Sequence, residues 1–182
     1  MRILFISGKK RAGKDFTADY IAKHFKGNVK RFTLASPLKD SVAKLYDISL
    51  EELDTRKNVE GSEERALLQQ IGTAIIGVNE NFFVDILTKS IINNEDKGID
   101  LAIITDCRYK NEIEIPELCS RYTVDTLRVN NVNYKPYEGE HISETALDDY
   151  EFETTVLNDN TKAYESMLDI VMEELNLLKD TK

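Results

Sequence analysis

The stretch FISGKKRAGKDF, residues 5–16, decides how the rest of the chain is read. From Gly8 through Gly13 and Lys14 it follows the pattern G-x-x-x-x-G-K-[ST], until Asp15 stands where a metal-binding hydroxyl is expected. The two glycines let the backbone curl so that successive N–H groups point inward, and the positive end of the following helix completes an anion site. Lys14 then reaches the outer phosphates as a point charge. Asp15 has two compatible explanations. It complements the helix dipole in the first turn, worth about 0.3–1 kcal/mol, or it offers oxygen to Mg²⁺, directly or through water. Its bare charge would repel phosphate, so it fits a divalent ion with Lys9, Lys10, Arg11 and Lys14 close by.

The flanks agree with that reading. Residues 2–6 are a compact apolar run, the pattern of a strand buried on both faces. Beyond the glycines, Phe16, Ile21, Ala22 and Phe25 recur near helical spacing until Gly27 and Asn28. Further strands are expected at residues 29–34, 101–105, 122–129 and 154–157. Helices are expected from Ser36–Pro37 to about residue 46, over 63–76 and 82–92, from 109 to about 120 with Pro116 at a boundary or kink, and over 161–178. Residues 47–62 read as irregular, with one turn of helix near Glu51 and a loop at 58–62. Strands alternating with helices predict an α/β fold of three layers, a central parallel sheet of about five strands with helices on both faces. Ligands of such sheets gather at the carboxyl ends of the strands. Residues 1–182 are expected to form one domain, with a helical substrate-binding region at about 36–95 and a lid at about 130–150.

The totals narrow the function classes. A net charge of −9 argues against long nucleic acids and anionic membranes as partners, so an anionic ligand must be small and locally held. No apolar run approaches the roughly 20 residues of a membrane span, and residues 1–10 read as a strand rather than a secretion signal. Cys107 and Cys119 lack metal-ligand spacing and suit a reducing cytoplasm as two half-buried thiols.

Asp106 comes directly after the apolar run 101–105, where a carboxylate would hold Mg²⁺ beside a phosphate loop. Arg108 can offer a planar fork to a substrate phosphate. Lys39, Arg65 and Arg128 are further candidate anion ligands, and Gln69, Gln70 and Gly72 could line a base-binding wall. Residues 130–150 have the composition of a lid, but with one lysine against five acids that lid is awkward for covering polyphosphate; Lys135 and His141 are its candidate phosphate-facing residues.

With these residues in view, the chain resembles the phage-type deoxynucleoside monophosphate kinases of the P-loop nucleoside-monophosphate kinase fold. The resemblance runs through SGKKRAGKDFT at 7–17, LASPLKD at 34–40, LQQIGT at 68–73, NFFV at 81–84, ITDCRYKNE at 104–112, HISETAL at 141–147 and LNDN at 157–160. Asp15 is a trait of that family. The resemblance implies Gly8, Lys9, Lys10, Arg11, Ala12, Gly13, Lys14, Asp15 and Phe16 around the phosphates of ATP, with Asn158 and Asp159 near its adenine. It implies Lys14, Asp106 and Arg108 as the catalytic set, Asp15 and Asp106 at Mg²⁺, and an acceptor site of Lys39, Arg65, Gln69, Gln70, Gly72, Arg108, His141 and Glu144. Where that family's lid usually carries an arginine, this chain has Asn130 and Asn131. The glycine loop also resembles that of animal-type phosphomevalonate kinase, and dephospho-coenzyme A kinase is a more distant relative.

The expectation is a cytoplasmic enzyme, in a host cytoplasm if the chain is of phage origin. It would move the γ-phosphoryl group of Mg²⁺-ATP to a small phosphorylated acceptor, a deoxynucleoside monophosphate. The alternatives are a phosphomevalonate kinase-like enzyme and a regulator that holds ATP without transfer. The amphipathic C-terminal helix suits a monomer or a homodimer equally.

Overall fold

Five short strands form one parallel sheet in the computed structural model, which describes residues 1–59, 61–136 and 141–178. They are β1 (Arg2–Ser7), β2 (Val29–Phe32), β3 (Leu101–Ile104), β4 (Thr123–Asn131) and β5 (Thr154–Asn158), in the spatial order β2-β3-β1-β4-β5. In register, Phe5 of β1 pairs with Ile104 of β3 and Ser7 with Arg128 of β4. Helices α1 (Lys14–His24), α2 (Ser36–Tyr46), α3 (Leu50–Arg56), α4 (Glu63–Val78), α5 (Phe82–Ile92), α6 (Pro116–Arg121), α7 (Ile142–Thr145) and α8 (Ala163–Glu174) fill the connections. Among the described residues no helix is long and apolar enough to cross a membrane.

The expected α/β class with a five-stranded parallel sheet is the one that forms. Its strands read as continuous apolar runs because both faces are covered: Ile3, Leu4, Phe5 and Ile6 of β1 and all four residues of β3 are fully buried. One face packs Leu4, Ile6, Ile103 and Leu127 with Ala18 and Ile21 of α1 and with Leu168, Val171 and Met172 of α8. Residues 109–120 depart from expectation. A 3₁₀ turn at Lys110–Glu112 stands where a continuous helix was expected, and Pro116 takes the boundary position of the two expected for it by opening α6. The missing N–H of proline is harmless in a first helical turn, and its ring pushes Ile115 into extended backbone. Residues 50–56, expected as one turn at most, make α3, whose first turn is capped by Ser49 accepting from the Glu52 amide. The expected loop at 58–62 and lid at 130–150 include residues 60 and 137–140, which lie outside the described residues.

The chain divides into two compact units, Met1–Phe32 with Thr88–Lys182, and Thr33–Leu87. The first carries the sheet with α1, α6, α7 and α8. The second holds α2, α3, α4 and the beginning of α5, around Leu38, Val42, Ala43 and Leu53. Lys39 of α2 pairs with Asp54 of α3 at 3.1 Å, and Leu38 approaches Gly72 of α4 so closely that an added Cβ would stand 3.4 Å from Leu38 Cδ2.

At the amino-terminal edge of the sheet, Arg2 ties three chain segments together. Its guanidinium donates to Asp125 of β4 at 2.7 Å and to the carbonyls of Leu175 and Asn176 beyond α8, at 2.6 and 3.0 Å. Asp125 is buried, so removing its partner leaves a charge without compensation. Arg2→Met is therefore expected to cost about 3 kcal/mol, and the double variant Arg2→Met/Asp125→Leu to be more stable than Arg2→Met alone, as measured by urea denaturation.

Candidate functional site

The turn between β1 and α1 is held through its carbonyl groups. The Gly8 and Lys9 carbonyls accept from Lys14 Nζ at 2.8 and 3.0 Å. That of Arg11 accepts from Asn131 Nδ2 at 3.2 Å, that of Ala12 from Asn158 Nδ2 at 2.9 Å, and that of Gly13 from Thr17 Oγ1 at 2.9 Å. These bonds fix the path of the turn at five successive or near-successive carbonyls. The two glycines are needed on steric grounds. A Cβ on Gly8 would lie 2.4 Å from the Val129 carbonyl oxygen; at Gly13 the backbone is left-handed (φ 99°) and a Cβ would lie 2.3 Å from Asn158 Nδ2. Arg11 is also left-handed, at φ 60°, a conformation a non-glycine residue adopts only where its surroundings hold it.

Lys14 curls back over this turn, half-buried, and burial lowers its pKa to about 8, with the charge of Arg108 acting in the same direction. Two cations this close call for an anion between or beside them. Glu144 of α7 supplies one. Its buried carboxylate accepts from the Lys10 amide at 2.8 Å and pairs with Arg108 at 3.2 Å. The main chain of Arg108 is fixed separately, because Glu112 accepts from the amides of Arg108 and Tyr109. Burial raises Glu112 to about 7 against the pull of those two amides, and the charge of Asp106 pushes the same way as burial.

Asp15 is an exposed ion-pair node. Its carboxylate meets Arg31 of β2 at 2.5 Å and the Thr105 hydroxyl at 3.2 Å, and Arg31 also reaches Asp19. Thr105 directly precedes Asp106, so oxygen donors from the first turn of α1 and the end of β3 lie together. Among the described residues no three His, Cys, Asp or Glu side chains gather into a metal cage. Mg²⁺ needs none: it binds through one or two carboxylates, water and phosphate oxygens. An all-oxygen set of Asp15, Thr105 and Asp106 fits that chemistry.

Asn158 is buried and braces the loop, its Nδ2 on the Ala12 carbonyl and its Oδ1 accepting from the Asn160 amide. Asp159 accepts from the Thr161 amide and hydroxyl at the entry to α8. His141 caps α7 by accepting from the Ser143 amide at 3.2 Å. Phe16 is exposed and tilts against Tyr164, ring centroids 5.9 Å apart. Lys39, Arg65, Gln69, Gln70 and Gly72 belong to the second unit, on α2 and α4. The two thiols differ, since Cys119 is exposed and Cys107 is buried, with burial pushing Cys107 up to about 12.

Sequence reading missed Arg31, Glu112, Asn131 and Asp148. Asp148 pairs with Lys9 at 2.7 Å and with Arg128 at 2.8 Å, and Arg128 also donates to Ser7 Oγ at 3.0 Å. The acid surplus of residues 130–150 was the available signal: Glu144 and Asp148, four residues apart, are set against loop and strand cations.

The family model of phosphomevalonate kinase matches residues 6–119, well over half of the chain. The chain belongs to that family. Two phage proteins share shorter segments with it. The deoxynucleotide monophosphate kinase of Enterobacteria phage T4 is 38% identical over 65 residues, 34% of this chain and 26% of that protein. The enzyme of the same name from Escherichia phage RB69 is 51% identical over 43 residues, 24% of this chain and 17% of that protein. The matched region thus spans about a quarter or less of the length of these curated relatives. The crystal structure of TT1252 from Thermus thermophilus superposes with a TM-score of 0.51 at 15% identity, covering 98% of both chains, and so shares the fold.

The lowered pKa of Lys14 sets a pH signature for anion binding. In the folded chain it loses its proton as pH rises through about 8, against 10.5 for the ordinary group. Charged Lys14 therefore weighs against the fold below pH 8, and that burden lifts as pH rises toward 10.5. A bound phosphate reverses the preference. ADP affinity measured by calorimetry should fall as pH rises past 8, with net proton uptake on binding in buffers of differing ionisation enthalpy, and Lys14→Met should abolish that uptake.

Proposed function

We propose that the chain transfers the γ-phosphoryl group of Mg²⁺-ATP to the phosphate of a deoxynucleoside 5′-monophosphate. The observation that carries this reading is the pairing of two phosphate-seeking groups at one place: the glycine loop with Lys14 for the donor, and Arg108, close enough for its charge to act on Lys14, for a second anion. The phage relatives, deoxynucleotide monophosphate kinases by name, support the choice of acceptor. The family model favours a second reading, in which the acceptor is phosphomevalonate.

Either reaction forms a bond from an acceptor phosphate oxygen to the γ-phosphorus and breaks the bond to the bridging oxygen of ATP, so that ADP leaves. The acceptor oxygen is already anionic, and no general base is required. The protein must hold two polyanions in line against their repulsion and stabilise a loose transition state by charge. The loop amides and Lys14 hold the donor tail, Arg108 holds the acceptor phosphate, and Asp15 and Asp106 would hold the metal. Bound Mg²⁺ supplies charge neutralisation on the donor phosphates.

Purified protein incubated with Mg²⁺-ATP, a panel of nucleoside and deoxynucleoside monophosphates, and phosphomevalonate should release ADP with a deoxynucleoside monophosphate. Turnover with phosphomevalonate alone selects the second reading, and ATP binding without turnover on any acceptor contradicts both. Lys14→Ala should lower kcat by about 100-fold or more with the fold intact, the scale of losing one oriented charge at a developing transition state. Arg108→Ala should raise the acceptor KM by about tenfold while leaving ATP affinity within about twofold, the loss of one charge-assisted contact; equal losses for both ligands would reject its acceptor role.

A further inference from the structure

We propose that Glu144 is a positioning residue that acts through Arg108, aiming its guanidinium and tying it to the donor loop, and is not itself a ligand of substrate. The proposal rests on the kinase reading and revises the acceptor-site role that the sequence suggests for Glu144.

Both oxygens of this carboxylate are engaged by the protein. Oε2 accepts from the Lys10 amide at 2.8 Å and Oε1 pairs with Arg108 Nη1 at 3.2 Å, and the side chain is only 7% exposed. A carboxylate turned toward a substrate phosphate would repel it, whereas one satisfied by a main-chain donor and a guanidinium leaves Arg108 with its remaining donors and a fixed direction. The main chain of Arg108 is held independently by Glu112 through the amides of residues 108 and 109. Arg108 is thus fixed at its backbone by one buried acid and at its tip by another. Glu144 is held in turn: His141 caps α7, Leu147 is buried behind it, and Asp148 pairs with Lys9 and Arg128. The result is one continuous path of polar contacts from the third residue of the phosphate loop, through Glu144, to the arginine assigned to the acceptor. Displacements of about 1 Å at a reacting group are costly to in-line transfer, so such a brace has a kinetic consequence.

A double-variant cycle separates this role from direct substrate contact. Glu144→Gln keeps the volume and can still accept from the Lys10 amide, but its NH₂ group cannot pair with Arg108. It should raise the acceptor KM by about tenfold, as for a lost largely buried ion pair that aimed the guanidinium, with ADP affinity within about twofold of the unsubstituted protein. In the Arg108→Ala background, adding Glu144→Gln should change the acceptor KM by less than about twofold, because coupled residues are not additive. Circular dichroism and melting temperature check that both variants fold, and Glu144→Asp, one methylene shorter, should fall between Gln and the unsubstituted chain. Losses that multiply in the double variant would make Glu144 a substrate ligand and overturn the proposal. So would tighter ADP binding in Glu144→Gln, the mark of a carboxylate standing in for phosphate, or an unchanged acceptor KM. Absence of turnover by the unsubstituted protein with every acceptor would instead remove the kinase reading, and the role of Glu144 with it.

Discussion

The site depends on how five carbonyl groups are held. A short turn rich in main-chain dipoles has no intrinsic preference for anions over cations; here the oxygens of residues 8, 9, 11, 12 and 13 are engaged by Lys14, Asn131, Asn158 and Thr17, which leaves them less able to repel an anion. Two of those anchors end adjacent strands, β4 and β5, so the shape of the turn is inherited from the parallel sheet. The sheet also sets the limit on side chains within the turn, since the Val129 carbonyl and the Asn158 amide occupy the space that a Cβ on Gly8 or Gly13 would need. Fold and anion site are therefore one constraint: moving β4 or β5 relative to β1 would release the carbonyls and lose the path of the turn.

An acidic chain that concentrates cations at one point must balance them when no phosphate is there. Lys9 and Arg128 are balanced by Asp148, Arg108 by Glu144, and Arg31 by Asp15 and Asp19. These pairs keep long basic side chains near the loop and limit the rotamer entropy lost on binding. Lys14 is handled differently. Its ammonium donates to two carbonyls of its own loop, and partial desolvation beside Arg108 leaves its charged form poorly stabilised until an anion arrives. The gain on binding phosphate is larger for that reason, because the group begins in an environment that disfavours its charge.

The sheet was legible because a strand covered on both faces must be apolar throughout. Residues 2–6 and 101–104 carry that signature without interruption, and the glycine turn after the first of them marks the start of α1. Local grammar succeeded at such places, at Pro37 and at Pro116, which falls at a helix boundary, and it failed over residues 109–115, where a continuous helix was expected and a 3₁₀ turn forms. The anchors of the loop were not legible. Asn131 and Asn158 act on residues 120 and 146 positions away through side-chain to main-chain bonds, which leave no periodicity in the chain. The acids of residues 141–150 gave a partial signal. Read as a lid they conflicted with a phosphate beneath; in the fold, Glu144 and Asp148 are counter-charges to the groups that would hold that phosphate, and the conflict disappears.

Arg108 by itself does not choose between the two acceptors, since each carries a phosphate. The choice falls on the rest of the molecule: a flat heterocycle and a sugar in one case, a short chain bearing a carboxylate in the other. A carboxylate needs a cation of its own. In the second unit, acids outnumber bases by ten to five. Lys39 and Lys57 both pair with Asp54, and Arg56 pairs with Glu52 and Glu64. An anionic group bound by this unit would have to displace those acids and would meet a net negative charge, at a cost on the scale of breaking a charge-assisted pair. A nucleobase is neutral and asks for amides and apolar surface, which α4 offers in Gln69, Gln70, Leu67 and Ile71. Without deciding the acceptor, the charge balance of that unit taken by itself is thus more compatible with a neutral group than with a second anion, which supports the proposed nucleotide.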